Sequence, residues 1–488
     1  MDVQGREPAV IGQVPKRLLV GGEERDATGG RRFAVHDPAT GEALCEVADA
    51  TAEDGVAALD AAVRAGDAWA RTPPRERSDV LLRAWRLLGE REEDLALLMT
   101  LEMGKPLAES RAEVAYAGRF LRWFSEEAVR IEGGWSVAPE GWGRILTMHQ
   151  PVGPCLLVTP WNFPLAMGAR KIAPAVAAGC TMVVKPAEQT PLSMLALAAV
   201  LAEAGLPAGV LNVVTTSSPA EVVGPLLHDR RLRKLSFTGS TETGRVLMAG
   251  AAHNLLRLSL ELGGNAAFVV FDDADLGAAV DAAMVAKMRN MGEACTAANR
   301  FLVARAVADE FAGVLAERMG ALRIGRGTED GVQVGPLIDE LQASKVAGLV
   351  DDAVAAGARV LVGGGRVERP GWFYSPTVLV DVPDGAGVVR EEVFGPVAPV
   401  GRFAGEDEAV AAANDTPHGL VSYVFTRDLD RAVRVAERLE TGMVGINLGL
   451  VSNPAAPFGG VKHSGFGREG GREGILEYLS TKYVGLRA

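Results

Sequence analysis

The sequence predicts an α/β fold with two sheet-bearing regions and a small separate hairpin, and three observations carry that expectation. Between Gly153 and Leu262, mostly apolar strand-like runs at 154–159, 181–185, 210–214, 234–238 and 257–262 alternate with helical stretches at 165–178, 192–204, 219–228 and 241–252. Strands that are apolar nearly throughout are buried on both faces, and helices between them make βαβ units and a parallel sheet. A second α/β series follows: strand 266–270, helix 275–289, strand 300–304 and helix 306–320, then helix 341–356, strand 359–362, strands around 376–381 and 421–425, helix 429–439 and strand 443–447. Finally, Trp135 to His149 alternates and contains turn residues, so it reads as a hairpin belonging to neither sheet.

The remaining segments are read in chain order. Residues 1 to about 30 are expected to be loosely ordered, because Gly21, Gly22, Gly29 and Gly30 interrupt any pattern. From Ala52 to Ala70 the residues Val56, Leu59, Val63 and Ala70 fall at helical spacing, with Gly66 as a weak point, and Val80 to Met99 repeats the theme. Gly263-Gly264 is a plausible hinge between the two series. Tyr483 to Leu486 is a last strand-like piece, available to pair with another edge, and unpaired edges point to a homodimer or homotetramer.

A chain of 488 residues has room for two or more domains with substantial cores. Its net charge of −12 argues against a nucleic-acid partner, which calls for a basic footprint. Asp2, Arg6 and Glu7 break any signal-peptide core. The most apolar stretch, Pro191 to Ala202, stops at Glu203, short of the roughly 20 residues that a membrane span requires. Four cysteines (Cys45, Cys155, Cys180 and Cys295) and six histidines show no metal-ligand spacing, so no metal is expected and the cytoplasm is the natural setting.

Four motifs carry chemistry. Cys295, in MGEACTAANR, follows a helix in a Gly- and Ala-rich stretch; an accessible thiolate there is a nucleophile, a packed one a small hydrophobe. Glu261, in LELGGN, ends a strand before two glycines, where a carboxylate can act as general base or simply be exposed. Asn162, in TPWNFP, can donate to a developing oxyanion or serve as a turn residue. Phe237 to Gly244 (FTGSTETG) joins a strand to a helix: Gly239 permits a tight turn, and the helix N-terminus can face a pyrophosphate. The spacing is GxxxxG, not the dinucleotide GxGxxG.

Together, and in this order, these segments resemble the aldehyde dehydrogenase superfamily. The likeness runs from about residue 17 to the C-terminus through PWNFP (160–164), KPAEQTP (185–191), GLPAGVLNVV (205–214), FTGSTETG (237–244), LELGGN (260–265), GEACTAANR (292–300), EEVFGP (391–396) and PFGGVKHSGFGRE (457–469). The resemblance implies a discontinuous Rossmann-like NAD-binding domain (1–131 and 152–262), a catalytic α/β domain (263–465) and oligomerisation or bridging segments (132–151 and 466–488). It further implies that Cys295 attacks an aldehyde, that Asn162 and the Cys295 N–H hold the oxyanion, and that Glu261 activates the water that hydrolyses the thioester.

By the same resemblance Lys171 and Glu469 match positions assigned to proton transfer; the alternative is a structural ion pair or solvated charge. Thr159, Pro160, Trp161, Lys185, Glu188, Gly239, Ser240, Gly244, Leu262, Glu392 and Phe394 match cofactor positions. Glu188 can accept from a ribose 2′-OH but repels a 2′-phosphate, so NAD is expected over NADP. Within the superfamily the sequence is most similar to succinate-semialdehyde dehydrogenases, which implies that Arg170, Arg289 and Ser452, with Phe458 beside them, bind a distal carboxylate. The alternative is the same chemistry on an uncharged aliphatic, aromatic or amino aldehyde. Two departures stand out. Glu293 and Ala294 replace the Gln-Thr usual in that group, and a carboxylate at the mouth disfavours an anionic substrate unless it points away. Ala297 stands where some relatives have a second cysteine, so no disulfide switch with Cys295 is expected.

Overall fold

The computed structural model describes residues 3–487. Two large sheets organise them. In the first, Leu211–Val213, Met182–Lys185, Cys155–Val158, Lys234–Thr238 and Arg257–Glu261 run parallel in that spatial order. Leu18–Val20 and Glu23–Arg25 extend one edge, and Gly465–Phe466 closes the other against Arg257–Glu261, all antiparallel. The second sheet runs Arg359–Val362, Thr377–Val380, Val397–Phe403, Ala298–Ala304, Ala266–Val270, Val421–Phe425 and Met443–Ile446, parallel except for its first strand. Central strands such as Cys155–Val158 and Ala266–Val270 are buried at every position, which explains why their sequences are unbroken apolar runs. Leu262 to Asn265 leads directly from the last parallel strand of the first sheet into the second.

Two buried carboxylates start the helices that flank the site. Helices Pro164–Ala178 and Pro191–Glu203 open with proline at the first turn and lack a side-chain cap from the preceding residue. Glu113, from helix Leu107–Glu127, accepts from the N–H groups of Leu165 and Ala166, both at 3.0 Å. Glu102, from helix Glu92–Met103, does the same for Leu192 and Ser193 at 2.8 Å. A negative group at a helix N-terminus satisfies free donors and meets the positive end of the dipole.

Several expectations need correction. Residues 1 and 2 lie outside the described residues, but the segment that follows is ordered: helix Val3–Gln13 packs on helix Glu92–Met103, and the glycines fall in the turns around Leu18–Val20 and Glu23–Arg25. Helix Ala52–Arg71 runs through Gly66 without a break. Val80 to Met99 is not one helix, because the chain breaks at Arg91 between Pro74–Glu90 and Glu92–Met103. Strand Val397–Phe403 was hidden by Pro399 and Gly401, which interrupt its pattern. The hairpin Gly134–Val137 and Gly143–Pro151 stands apart from both sheets, and the C-terminal strand Leu479–Arg487 pairs along all of Gly143–Pro151 within the same chain. Among the described residues no helix is long and apolar enough to cross a membrane, and no cluster of His, Cys, Asp and Glu could hold a metal.

Candidate active site

A cleft of about 230 Å³ opens at the carboxyl ends of the strands, where both sheets contribute. From the first come Pro160, Trp161, Asn162, Phe163, Thr238, Gly239, Ser240, Glu261, Leu262 and Gly263; from the second, Ala294, Cys295, Thr296, Glu392 and Phe394. Arg170, Arg289, Tyr116, Ser452 and Phe458 complete the wall around the nucleophile.

The cysteine is held by unusual backbone. After helix Leu276–Met288 the chain enters three consecutive left-handed residues, Asn290 (φ 54°), Met291 (φ 55°) and Gly292 (φ 78°), and then climbs through Cys295 to strand Ala298–Ala304. Such a run costs energy in non-glycine residues and persists where surrounding contacts over-determine it. Cys295 therefore sits between a helix C-terminus and a strand along the chain. Half-buried at the cleft, its thiol is pushed up to about 12 by burial, with Glu392 and Glu261 adding and Arg170 and Arg289 opposing.

Asn162 follows strand Cys155–Val158 and is buried; one N–H of its amide donates to the Glu293 carbonyl at 2.9 Å. Its own carbonyl accepts from Lys105 Nζ at 2.7 Å and from Asn290 Nδ2 at 3.1 Å. Glu261 ends its strand with both carboxyl oxygens buried and unpartnered. Burial, with Glu469 adding, pushes this carboxyl well above the ordinary range against the pull of Arg170 and Lys171.

Lys171 and Glu469 do not reach the cleft wall. They form a buried cluster behind it: Lys171 Nζ donates to Glu469 Oε1 at 2.5 Å and to Ser236 Oγ at 2.9 Å, and Arg170 Nε donates to Glu469 Oε2. Burial opposes the Glu469 charge, but Arg170 and Lys171 outweigh it and hold the carboxyl below its ordinary range. Arg170 is not surface charge: it is 2% exposed, its guanidinium lies 3.8 Å over the Phe458 ring, and Nη2 has no partner. Arg289 lies over Phe163 at 4.5 Å and Tyr116 at 5.9 Å, and among the described residues it makes no ion pair. Glu293 points away from the mouth; its fully buried carboxyl accepts from Ile338 N–H at 3.1 Å.

The opposite wall has the features of a nucleotide site. Helix Thr241–Ala251 begins at the cleft, although Ser240 Oγ accepts from Thr243 N–H, so the serine also caps the helix. Gly239 is not in the left-handed region; the Phe237 ring fills the space a Cβ would take, at 2.4 Å. Gly244 likewise gives room to Leu262, at 2.5 Å. Glu392 accepts from Gly264 N–H at 2.9 Å, and burial pushes its carboxyl up to about 7. Phe394 meets Trp161 edge-on at 5.3 Å. Thr159, Lys185, Glu188 and Gly244 are off the cleft wall, and Lys185 Nζ donates to Glu188 Oε2 at 3.2 Å beside a separate hollow. As a fit for a dinucleotide the wall passes: the Thr238 hydroxyl is buried and, among the described residues, without a partner, and a helix N-terminus and a carboxylate face the same space.

With this geometry in place, the comparison with known proteins is decisive. The profile of the aldehyde dehydrogenase family matches residues 25–484. This chain belongs to the aldehyde dehydrogenase family. It is 60% identical to a succinate-semialdehyde dehydrogenase of Paenarthrobacter nicotinovorans, over 91% of this chain and 98% of the relative. An NADP(+) succinate-semialdehyde dehydrogenase of Escherichia coli is 50% identical (96% and 97% covered), and a glutarate-semialdehyde dehydrogenase of Pseudomonas putida 51% (96% and 97%). The crystal structure of succinate-semialdehyde dehydrogenase from Burkholderia pseudomallei superposes with a TM-score of 0.96 at 48% identity, covering 99% of both chains.

An aldehyde dehydrogenase thus joins Cys295, Glu261 and Asn162 in one cleft, as the motifs led us to expect. Other residues that shape this cleft carried no sequence signal. Tyr116 is one apolar position on a helix, Lys105 reads as an ordinary surface lysine, and Asn290 was passed over inside RNMG. Gln342 donates to the carbonyls of Val393 and Phe394 at 3.1 and 2.7 Å, and Lys345 to that of Glu392 at 2.7 Å. The tolerance of asparagine for the left-handed region was the one hint available for Asn290.

Proposed function

We propose that this aldehyde dehydrogenase oxidises succinate semialdehyde to succinate through a thioester on Cys295, with NAD preferred over NADP. The observation that carries the substrate is the pair of cations beside the thiol: Arg170 offers a buried, unpartnered Nη2, and Arg289 stacks on aromatic faces with no carboxylate within ion-pair distance among the described residues, Glu109 acting on it only from further off. A carboxylate one short chain away from the aldehyde satisfies both, with Ser452 on the same wall. The names of the relatives support a dicarboxylic semialdehyde, and the buried direction of Glu293 removes an obstacle to an anion.

In the reaction, Cys295 sulfur bonds to the aldehyde carbon and its proton leaves to solvent or to a nearby carboxylate. The new oxyanion is held by the free N–H of Asn162 and the N–H of Cys295. The chemistry that NAD(P) contributes when bound is hydride acceptance, which leaves the acyl group on Cys295 as a thioester. Glu261, in its carboxylate form, takes a proton from the water that attacks this thioester; the acid is released, and the proton passes to the departing sulfur to restore the Cys295 thiol. Trp161, Ser240, Leu262, Glu392 and Phe394 would hold the cofactor in the cleft, with Thr159, Pro160, Lys185 and Glu188 toward the adenosine ribose. The carboxylate of Glu188 supports NAD, although the Escherichia coli relative carries NADP(+) in its name.

The membership of the two large sheets supports the division into cofactor, catalytic and bridging segments. Exposed Trp135, Val137, Trp142 and Tyr483 on the small sheet support a homodimer or homotetramer, and four free cysteines fit a cytoplasmic setting. The test is a panel of succinate semialdehyde, glutarate semialdehyde and butanal with both cofactors, repeated on Arg289→Ala. Loss of a desolvated charge contact costs about 2 kcal/mol or more, so KM for succinate semialdehyde should rise at least about 30-fold while that for butanal barely moves. Equal changes for both aldehydes remove the clamp, and higher kcat/KM with NADP removes the cofactor preference.

A further inference from the structure

The two segments that form the catalytic end of the cleft come from different sheets, and one buried amide ties them together. Asn290 is fully buried, and its Nδ2 donates to the carbonyl of Asn162 at 3.1 Å and to that of Glu293 at 2.9 Å. The Asn162 amide returns to the same Glu293 carbonyl at 2.9 Å. Both partners of Asn290 are carbonyl oxygens, so only the amino end of its side chain can face them, and its orientation is forced. Its own N–H donates to Glu109 Oε2 at 2.5 Å, fixing the start of the left-handed turn that leads to Cys295.

The consequence falls on Asn162. Its main chain is pinned by Asn290 and Lys105, and its side chain is pinned through a carbonyl that Asn290 also holds. An amide is planar, so fixing one N–H fixes the direction of the other. We propose that Asn290 is a positioning residue for aldehyde oxidation, locking the oxyanion-binding amide of Asn162 against the Cys295 segment before substrate arrives. A donor aimed in advance needs no reorganisation when charge develops. The inference rests on the reading of Asn162 as the oxyanion donor given above.

Removed alone, the Asn290 side chain strands no buried acceptor: the Asn162 carbonyl keeps Lys105, and the Glu293 carbonyl keeps Asn162 until that amide too is removed in the pair. Asn290→Gly also keeps the left-handed backbone free of strain. The experiment is a double-mutant cycle on steady-state NADH formation with Asn162→Ala, Asn290→Gly and the pair, alongside the rate of Cys295 alkylation by iodoacetamide. Asn162→Ala should lower kcat about 100-fold, and Asn290→Gly roughly tenfold with KM for the aldehyde little changed. The pair should be no slower than Asn162→Ala alone within about twofold, and alkylation should stay near the wild-type rate. Asn290→Ala, which removes both donors without burying a charge, should show the same non-additivity should the glycine variant not fold. Multiplicative losses, full activity of both Asn290 variants, or alkylation slowed in step with kcat would each overturn the proposal. Wild-type activity of Asn162→Ala would instead remove the reading of Asn162 on which it stands.

Discussion

Two carboxylates are buried at the same end of the cleft, and the protein treats them in opposite ways. Glu469, arriving from the C-terminal segment, meets Arg170 and Lys171 and is drawn below the ordinary range. Glu261, at the end of a central strand, has no partner for either oxygen and is pushed above it. Both lose their water, so the difference lies in compensation alone. Glu469 is a counter-ion that lets two cations be buried near the cleft. Glu261 is left unsatisfied, which suits the base proposed above, since a carboxylate already paired could not take a proton from water. On that proposal the reactive carboxylate is the destabilised one.

The strongest way to break this comparison is to neutralise each group in turn. Glu261→Gln should cut steady-state turnover about 1,000-fold while a first burst of NADH, about one per active site, survives, because acyl transfer to Cys295 does not need the base. Stopped-flow absorbance separates the two phases; loss of the burst itself would place Glu261 earlier in the reaction. Glu469→Gln should act on the fold, since it leaves Arg170 and Lys171 without their counter-charge, and breaking a buried pair typically costs about 3–5 kcal/mol. Urea denaturation that finds this variant as stable as the wild type would remove the counter-ion role.

Stability against pH sharpens the same contrast. The folded-state value of Glu261 is raised, so its penalty is absent below the ordinary carboxyl range and grows as pH rises through and above it. The stability of Glu261→Gln relative to wild type should therefore increase from pH 4 to pH 8. Glu469 has the opposite sign: its contribution is present above the ordinary range and is lost as pH falls through its lowered value. Parallel curves for the two variants would refute the assignment. An effect of the same sign is expected at Glu293, whose buried carboxyl is also pushed up by burial, so Glu293→Gln should gain stability toward alkaline pH with kcat almost unchanged. The smallest expected change is at Glu188, 42% exposed, where Glu188→Ala should weaken NAD binding by about 0.5–1.5 kcal/mol; no change in KM for NAD would leave Lys185 as its only partner.

The sequence made the parallel strands legible because a strand buried on both faces must be apolar at consecutive positions, and every strand expected between Gly153 and Leu262 lies within a residue or so of its place. It was silent where context decides. Leu18–Val20 and Glu23–Arg25 are too short and glycine-flanked to show a period, yet a waiting sheet edge orders them. That Cys295, Glu261 and Asn162 would meet in one cleft was legible from motifs, whereas Lys105, Glu113 and Asn290 act through main-chain atoms of distant residues, and a single sequence does not reveal such partners. The ion-paired state of Arg170 was hidden for the same reason, since Glu469 lies 299 residues further on.

Gly264 lies in the short link from one sheet to the next, and a Cβ there would meet the Cys295 carbonyl at 2.2 Å. The link that was expected to bend freely is therefore also the backrest of the nucleophile. The joint between the two sheets and the main chain that carries the sulfur are thus in direct contact, with no room for a side chain between them.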